Sequence, residues 1–263
     1  MFRKYAAAAA IIGLGVLCFG CSSQTPTTEW EKLNEESLAH YQEGRYDEAV
    51  QTARLALAMA DSVFGPEHLN VAVTLTNLGL FTIHAEGFPA AEAPLRRALA
   101  IREINLGPDH LDVARSLEDL AIAQKNQGHN RQAKPNFLRA LAIFEKALGP
   151  DHPDVVPLAK NVGLLLMDNG DYLEAEPLLS RVVANLEKTL PTDHVDLVEP
   201  RAHLAMLHWH LENYDEAERM YLRELNNLPG GGGYDPVLVA NSQINLAMIY
   251  RCLLYTSPSP RDS

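Results

Sequence analysis

The sequence predicts an all-α chain built as a right-handed α-solenoid of stacked antiparallel helix pairs. Three observations predict it. His68, His110, His152 and His194 recur every 42 residues, as do Ala49, Ala91, Ala133, Ala175 and Ala217. A period of this size marks a repeat array in which each unit buries its apolar face only against its neighbours. Within each period, two segments with apolar residues at helical spacing flank a short polar turn. The composition agrees: 47% of residues are hydrophobic but only 7% aromatic, and the abundance of Ala and Leu favours packed helices over sheet.

Arg3 and Lys4 precede an apolar run, Ala6 to Phe19, too short to span a bilayer comfortably. Gly20, Cys21 and a polar stretch from Ser22 to Thr28 follow. That order is a secretory signal. Its end resembles a bacterial lipoprotein signal, a small residue before an acylated cysteine, although Cys18 stands where that family usually has Leu. The resemblance implies cleavage after residue 20, lipidation of Cys21, and residues 21–28 as a polar tether. More than one acyl chain is needed for stable attachment. Ser22, in place of Asp, implies export to the outer membrane, facing the periplasm. Loss of Arg3 and Lys4 with residues 1–20 takes the net charge from −12 to −14.

The array is expected over residues 29–251, as five repeats and a sixth A helix. The fourth repeat shows the plan. Asp151-His152-Pro153-Asp154 starts helix A, with a polar cap and Pro near the first helical position, where its missing N–H is harmless. Val155, Val156, Leu158, Val162, Leu165 and Leu166 supply the apolar face. Asn169-Gly170-Asp171 turns the chain. Tyr172, Ala175, Leu178, Leu179, Val182, Val183 and Leu186 mark helix B, and Pro191 follows its end. The first unit spans Glu29 to Phe64, turning at Glu43-Gly44-Arg45-Tyr46. The second spans Leu69 to Leu106 and the third Leu111 to Leu148, turning at Gly87-Phe88 and Gln127-Gly128. The fifth spans Val195 to Leu228, turning at Glu212-Asn213-Tyr214. Asp235 to Arg251 begins a sixth A helix whose Leu246, Ala247 and Ile249 are expected to stay partly uncovered.

Gly79, Ala121, Gly163, Ala205 and Ala247 share one helix-A position, and Ala49 through Ala217 one helix-B position. Small side chains there let paired helices approach closely. Leu75-Thr76-Asn77-Leu78-Gly79, Glu174-Ala175-Glu176-Pro177-Leu178 and Arg97-Ala98-Leu99-Ala100-Ile101-Arg102-Glu103 together resemble the tetratricopeptide repeat. The 42-residue period is similar to that of kinesin light chain repeats. The resemblance covers about residues 29–251 and implies fold more than partner.

Departures from the pattern are local. Asn130 replaces the aromatic that opens helix B. Pro135 and Pro177, past the first turn of their helices, predict mild kinks. Pro229 and Gly230 to Gly233 stand where Gly-Pro-Asp-His is expected, so that connection is expected to be the loosest. Without a following Lys-Ser/Thr, the run is not a phosphate-binding loop.

The repeated histidines are too far apart to share one ion, since each repeat adds two helices about 8–10 Å apart. They are read as helix-start residues. His203 and His210 share a helix face but lie two turns apart, so no metal site is expected. No nucleophile–base set, carboxylate pair or dinucleotide fingerprint stands out. Neither catalysis nor a cofactor is expected. The acidic balance argues against a nucleic-acid partner and weakly favours basic proteins or peptides.

The resemblance implies that A helices line a concave groove holding a peptide or partner helix. Carried over by repeat position, the groove includes Asn77, Asp119, Asn161, His203 and Asn245. Neighbouring positions add Thr76, Glu118 and Lys160, and then His84, Asn126, Asp168 and His210. An Asn side chain can grip a peptide backbone through its donor and its acceptor, as the matching residues do in kinesin light chains. The same residues could instead hydrogen-bond between neighbouring repeats. The Lys/Asn pattern that grips a C-terminal carboxylate in chaperone-binding arrays is absent, since Glu118 and Asp119 stand there.

Cys252 to Asp262 reads CLLYTSPSPRD. It breaks the repeat and resembles the translation of a common transposase-type sequencing adapter. Residues 252–263 are therefore expected to be foreign, and the natural chain to continue beyond Arg251. The expected function is a non-catalytic, lipid-anchored scaffold that binds a protein or peptide in the bacterial envelope. One alternative is a substrate-recruiting arm of a longer enzyme or regulator; another is a purely architectural part of an envelope assembly.

Overall fold

The computed structural model describes residues 26–226 and 236–256. The signal segment, Cys21, the Gly230–Gly233 run and residues 257–263 lie outside them. The described residues form eleven α-helices, with no strand among them. Helices α1 (Pro26–Gln42) and α2 (Tyr46–Phe64) make the first A–B pair, α3 (Leu69–Ala85) and α4 (Phe88–Leu106) the second. The third pair is α5 (Leu111–Asn126) and α6 (Asn130–Leu148), the fourth α7 (Val155–Asn169) and α8 (Tyr172–Thr189). A 3₁₀ turn at Val195–Leu197 leads into α9 (Val198–His210), paired with α10 (Tyr214–Asn226). Helix α11 (Pro236–Thr256) is the sixth A helix. Each helix packs on the next in sequence, as a solenoid requires. The outer bounds of the second and third repeats match the expectation. Helix α1 begins three residues before Glu29, and α11 runs five residues past Arg251.

The histidines define the A-helix starts. The Nδ1 of His68, His110, His152 and His194 accepts the backbone N–H two residues on, at 3.1, 3.1, 3.1 and 3.2 Å. Each imidazole thus satisfies a donor that the first helical turn leaves open. In the fourth repeat His152 supplies the polar cap of the Asp151-His152-Pro153-Asp154 start. The regular helix there begins at Val155, but Val155 N–H already donates to the His152 carbonyl at 2.8 Å, so Pro153 sits in the tightened first turn. Pro94, Pro135 and Pro177 lie inside α4, α6 and α8, which run on as continuous helices.

The helix-B alanines Ala49, Ala91, Ala133, Ala175 and Ala217 are fully buried. On helix A the small-residue column extends to Ser37, also fully buried, which the sequence reading missed because it is polar. Its hydroxyl donates to the Asn34 carbonyl at 2.8 Å. A Cβ on Gly79 would stand 2.7 Å from Leu95 Cγ, well inside van der Waals contact, so the pair is closed as tightly as a glycine permits. Ala247 is exposed, because it faces where a paired B helix stands in the other repeats, and Leu246 is half-buried. Ile249, expected to be partly uncovered, is instead fully buried. It turns back onto Ala205, Ala217 and Tyr221 of the preceding repeat.

The B helices are tied to one another by ion pairs 36 residues apart. Arg97 meets Asp61 at 2.6 Å, Arg139 meets Glu103, Arg181 meets Glu145, and Arg223 meets Glu187 at 3.4 Å. The ladder repeats with the period and was legible in it. It orients successive units and leaves the opposite, A-helix face open.

Candidate functional site

The A helices present one row of partly open side chains per repeat. Thr76, Asn77 and Leu80 on α3 correspond to Glu118, Asp119 and Ile122 on α5. Lys160, Asn161 and Leu164 follow on α7, and Ala202, His203 and Met206 on α9, all partly exposed. These positions lie one helical turn apart on the side turned away from the B helix. The period therefore aligns them across the array.

The rows differ in how far their polar groups are engaged. Asn77 and Asn161 make no hydrogen bond within the described residues. Asn245 is engaged: its Nδ2 donates to the Tyr221 hydroxyl at 3.0 Å. Asn126 donates to the Ile122 carbonyl of its own helix at 2.8 Å. Thus the two middle Asn residues keep donor and acceptor available, whereas Asn245 takes the inter-repeat role.

The charged groups between α7 and α9 are paired. Lys160 Nζ reaches Glu199 at 3.2 Å, and Lys125 reaches Asp168 at 3.8 Å, from α5 to α7. His203 sits between them with its Nδ1 buried and unbonded. Burial holds the His203 imidazole below the usual histidine range, against the raising effect of Glu199. Two carboxyls of α5 are otherwise. Glu118 and Asp119 have no hydrogen-bond or ion-pair partner in the described residues. Burial, with Asp119 and Asp154 nearby, pushes Glu118 up to about 7; burial pushes Asp119 up to about 6. Both residues are partly exposed as a whole, which tempers the cost of holding them there.

Arg102 is the residue that sequence reasoning missed. It reaches from α4 between α3 and α5, and its Nη1 donates to Thr76 Oγ1 at 2.9 Å and to Ser116 Oγ. Burial lowers its affinity for its proton, opposed by the charge of Asp119. The signal lay in the period: Arg102 stands in a column otherwise made of Ala60, Phe144, Leu186 and Leu228. Arg201 does the same in the column of Leu75, Leu117 and Ala159.

His84 and His210 sit at the edge of the row. His84 stacks on Tyr46 at 4.9 Å between ring centroids, and its Nε2 is 3.0 Å from the Tyr41 hydroxyl. His210 stacks on Tyr172 at 4.4 Å. The two contacts are the same one, three repeats of the array apart: the aromatic that opens a B helix carries the histidine that ends the next A helix. Asn130 and Asp168, which occupy those two places in the third and fourth repeats, make no such stack. Among the described residues no group of three or more His, Cys, Asp or Glu side chains is placed to share an ion.

The family model for the tetratricopeptide repeat matches residues 32–104, 81–146 and 155–229. No curated protein matches the chain in sequence. Among solved structures, the chain is similar to a kinesin light chain of Podosopora anserina with nearly identical TPR-like repeats. Identity is 22%, the TM-score 0.67, and the match covers 78% of this chain and 97% of that one. BtubC (BKLC) of P. vanneervenii is 20% identical with a TM-score of 0.64, over 80% of this chain and 84% of that one. PilF of Pseudomonas aeruginosa is 16% identical with a TM-score of 0.55, over 90% and 95%. At these identities the structures speak to the fold. Repeats of this kind are protein-interaction scaffolds. The three matched segments span most of the chain, and it belongs to the tetratricopeptide repeat family.

Proposed function

We propose that the protein is a non-catalytic scaffold that holds an extended protein segment along the A-helix face of its middle repeats. The observation that carries this reading is the pair Asn77 and Asn161, whose amides are unspent, whereas Asn126 and Asn245 on the same face are bonded. An amide presents a donor and an acceptor at once, the pattern an extended backbone displays. Apolar Leu80, Ile122, Leu164 and Met206 beside them offer shallow contacts for side chains.

The test is peptide capture by the chain and by an Asn77→Ala/Asn161→Ala variant. The variant should keep its helicity and lose about tenfold or more in affinity, as expected for two backbone contacts. Unchanged affinity at equal helicity sinks this reading.

The N-terminal sequence supports a second element of the proposal, attachment to the envelope membrane through acylated Cys21. Metabolic labelling with an alkyne fatty acid tests it. Label should appear on the chain and vanish, with membrane association, in Cys21→Ser. Label retained in that variant refutes acylation at this residue.

A further inference from the structure

We infer that the segment held on this face is basic, with a Lys or Arg side chain seated over Glu118 and Asp119. The inference rests on the scaffold reading above and adds the chemistry of the partner.

The charge count around α5 carries it. The groups that act on Glu118 and Asp119 are Arg102, Arg115 and Asp154, while Asp112 draws on both guanidinium groups. Two guanidinium groups therefore face four carboxyls, Asp112, Glu118, Asp119 and Asp154. The guanidinium groups are also committed elsewhere. Arg102 donates to Thr76 and Ser116, and Arg115 to Asp112 at 2.8 Å. Glu118 and Asp119 remain without a donor, in a partly desolvated setting that opposes their ionisation. From the C-terminal end of α5 across α7 to α9, the balance is even: Lys125 and Lys160 are matched by Asp168 and Glu199. The excess is thus local to the row between Asn77 and Asn161. A backbone gripped by those two amides would pass directly over it. A cation there restores to both carboxyls the stabilisation that burial removes, while an acidic segment meets uncompensated like charge.

The experiment selects ligands without assuming one. A phage-displayed random dodecapeptide library is panned at pH 8 on the full chain, and selected peptides are synthesised and measured by fluorescence anisotropy. The selected pool should be enriched in Lys and Arg and depleted in Asp and Glu. Glu118→Gln/Asp119→Asn should weaken binding of a selected peptide about tenfold or more. Replacing the peptide's Lys by norleucine should do the same with no change to the protein. Binding should also weaken about tenfold between pH 8 and pH 6, because both carboxyls must be ionised to hold the cation. A pool without basic enrichment overturns the inference, as does a basic peptide indifferent to both replacements. If selected peptides lack basic residues yet are lost on Asn77→Ala/Asn161→Ala, the scaffold reading stands and only its basic partner falls. A library that yields no binder overturns both.

Discussion

A Cβ placed on Gly163 would stand 2.7 Å from both Cγ and Cδ2 of Leu179. Helix A and helix B of the fourth repeat therefore touch at a point where no other side chain fits. In an exposed helix, Gly→Ala stabilises by about 1 kcal/mol. Here Gly163→Ala is expected to destabilise, by about 1–3 kcal/mol from overpacking less that gain. Urea denaturation checks it. Combining the change with Leu179→Ala should cost less than the sum of the two single changes, because the clash and the cavity offset each other.

Arg201 is nearly buried, and its Nε and Nη2 reach Glu187 at 2.9 and 2.7 Å. Its Nη1 donates to the Thr192 carbonyl at 2.8 Å. Glu187→Ala leaves that guanidinium uncompensated and should cost about 3–5 kcal/mol. Arg201→Leu, which copies Leu75 and Leu117 of the same column, should cost far less, and paired with Glu187→Gln should approach neutrality. Thermal unfolding of the three variants distinguishes a structural ion pair from a dispensable one. Equal losses in all three would refute the account.

Glu212 has φ 62° where the equivalent turn of the fourth repeat has Gly170 at φ 81°. A side chain in the left-handed region costs about 1–2 kcal/mol. Glu212→Gly is expected to recover about 1 kcal/mol, and Gly170→Ala to lose a similar amount. Chemical denaturation of each single variant reads both signs.

The histidine caps predict a residue-specific loss. His110→Ala removes the acceptor for Asp112 N–H and should cost about 1 kcal/mol, while His110→Asn, itself a good cap, should restore most of it. Amide hydrogen exchange in the first turn of α5 should speed up in the alanine variant only.

Glu118 and Asp119 predict a pH signature in stability. Their folded values, about 7 and about 6, lie above their ordinary values of 4.5 and 3.8. The folded state therefore binds these protons more tightly than the unfolded state. Their contribution to stability is fully present below about pH 4 and is lost as pH rises to about pH 7. Glu118→Gln/Asp119→Asn should be more stable than the parent at pH 8 and lose that advantage near pH 4. An advantage that grows on acidification would show that the two carboxyls are stabilising as anions.

The repeat period by itself determined the fold, the turn positions, the buried Ala columns and which residues share a row on the A helices. These follow from local periodicity, because each unit in a solenoid packs only on its neighbours. Even the Asp61–Arg97 type of ladder is written in the 36-residue offset. Only the tertiary structure decided which members of a row are already engaged. Asn77 and Asn161 occupy the same column as Asn245, yet Asn245 is bonded to Tyr221 because Tyr221 puts a hydroxyl within its reach. Phe137 and Ala53, which stand before Asn161 and Asn77 as Tyr221 stands before Asn245, offer none. Ile249 is buried for a similar reason: it turns toward the preceding repeat, a direction that the apolar pattern of α11 leaves undefined. Hydrogen bonding and burial depend on the neighbouring unit's side chains, and it is these contacts that leave Glu118 and Asp119 without a partner.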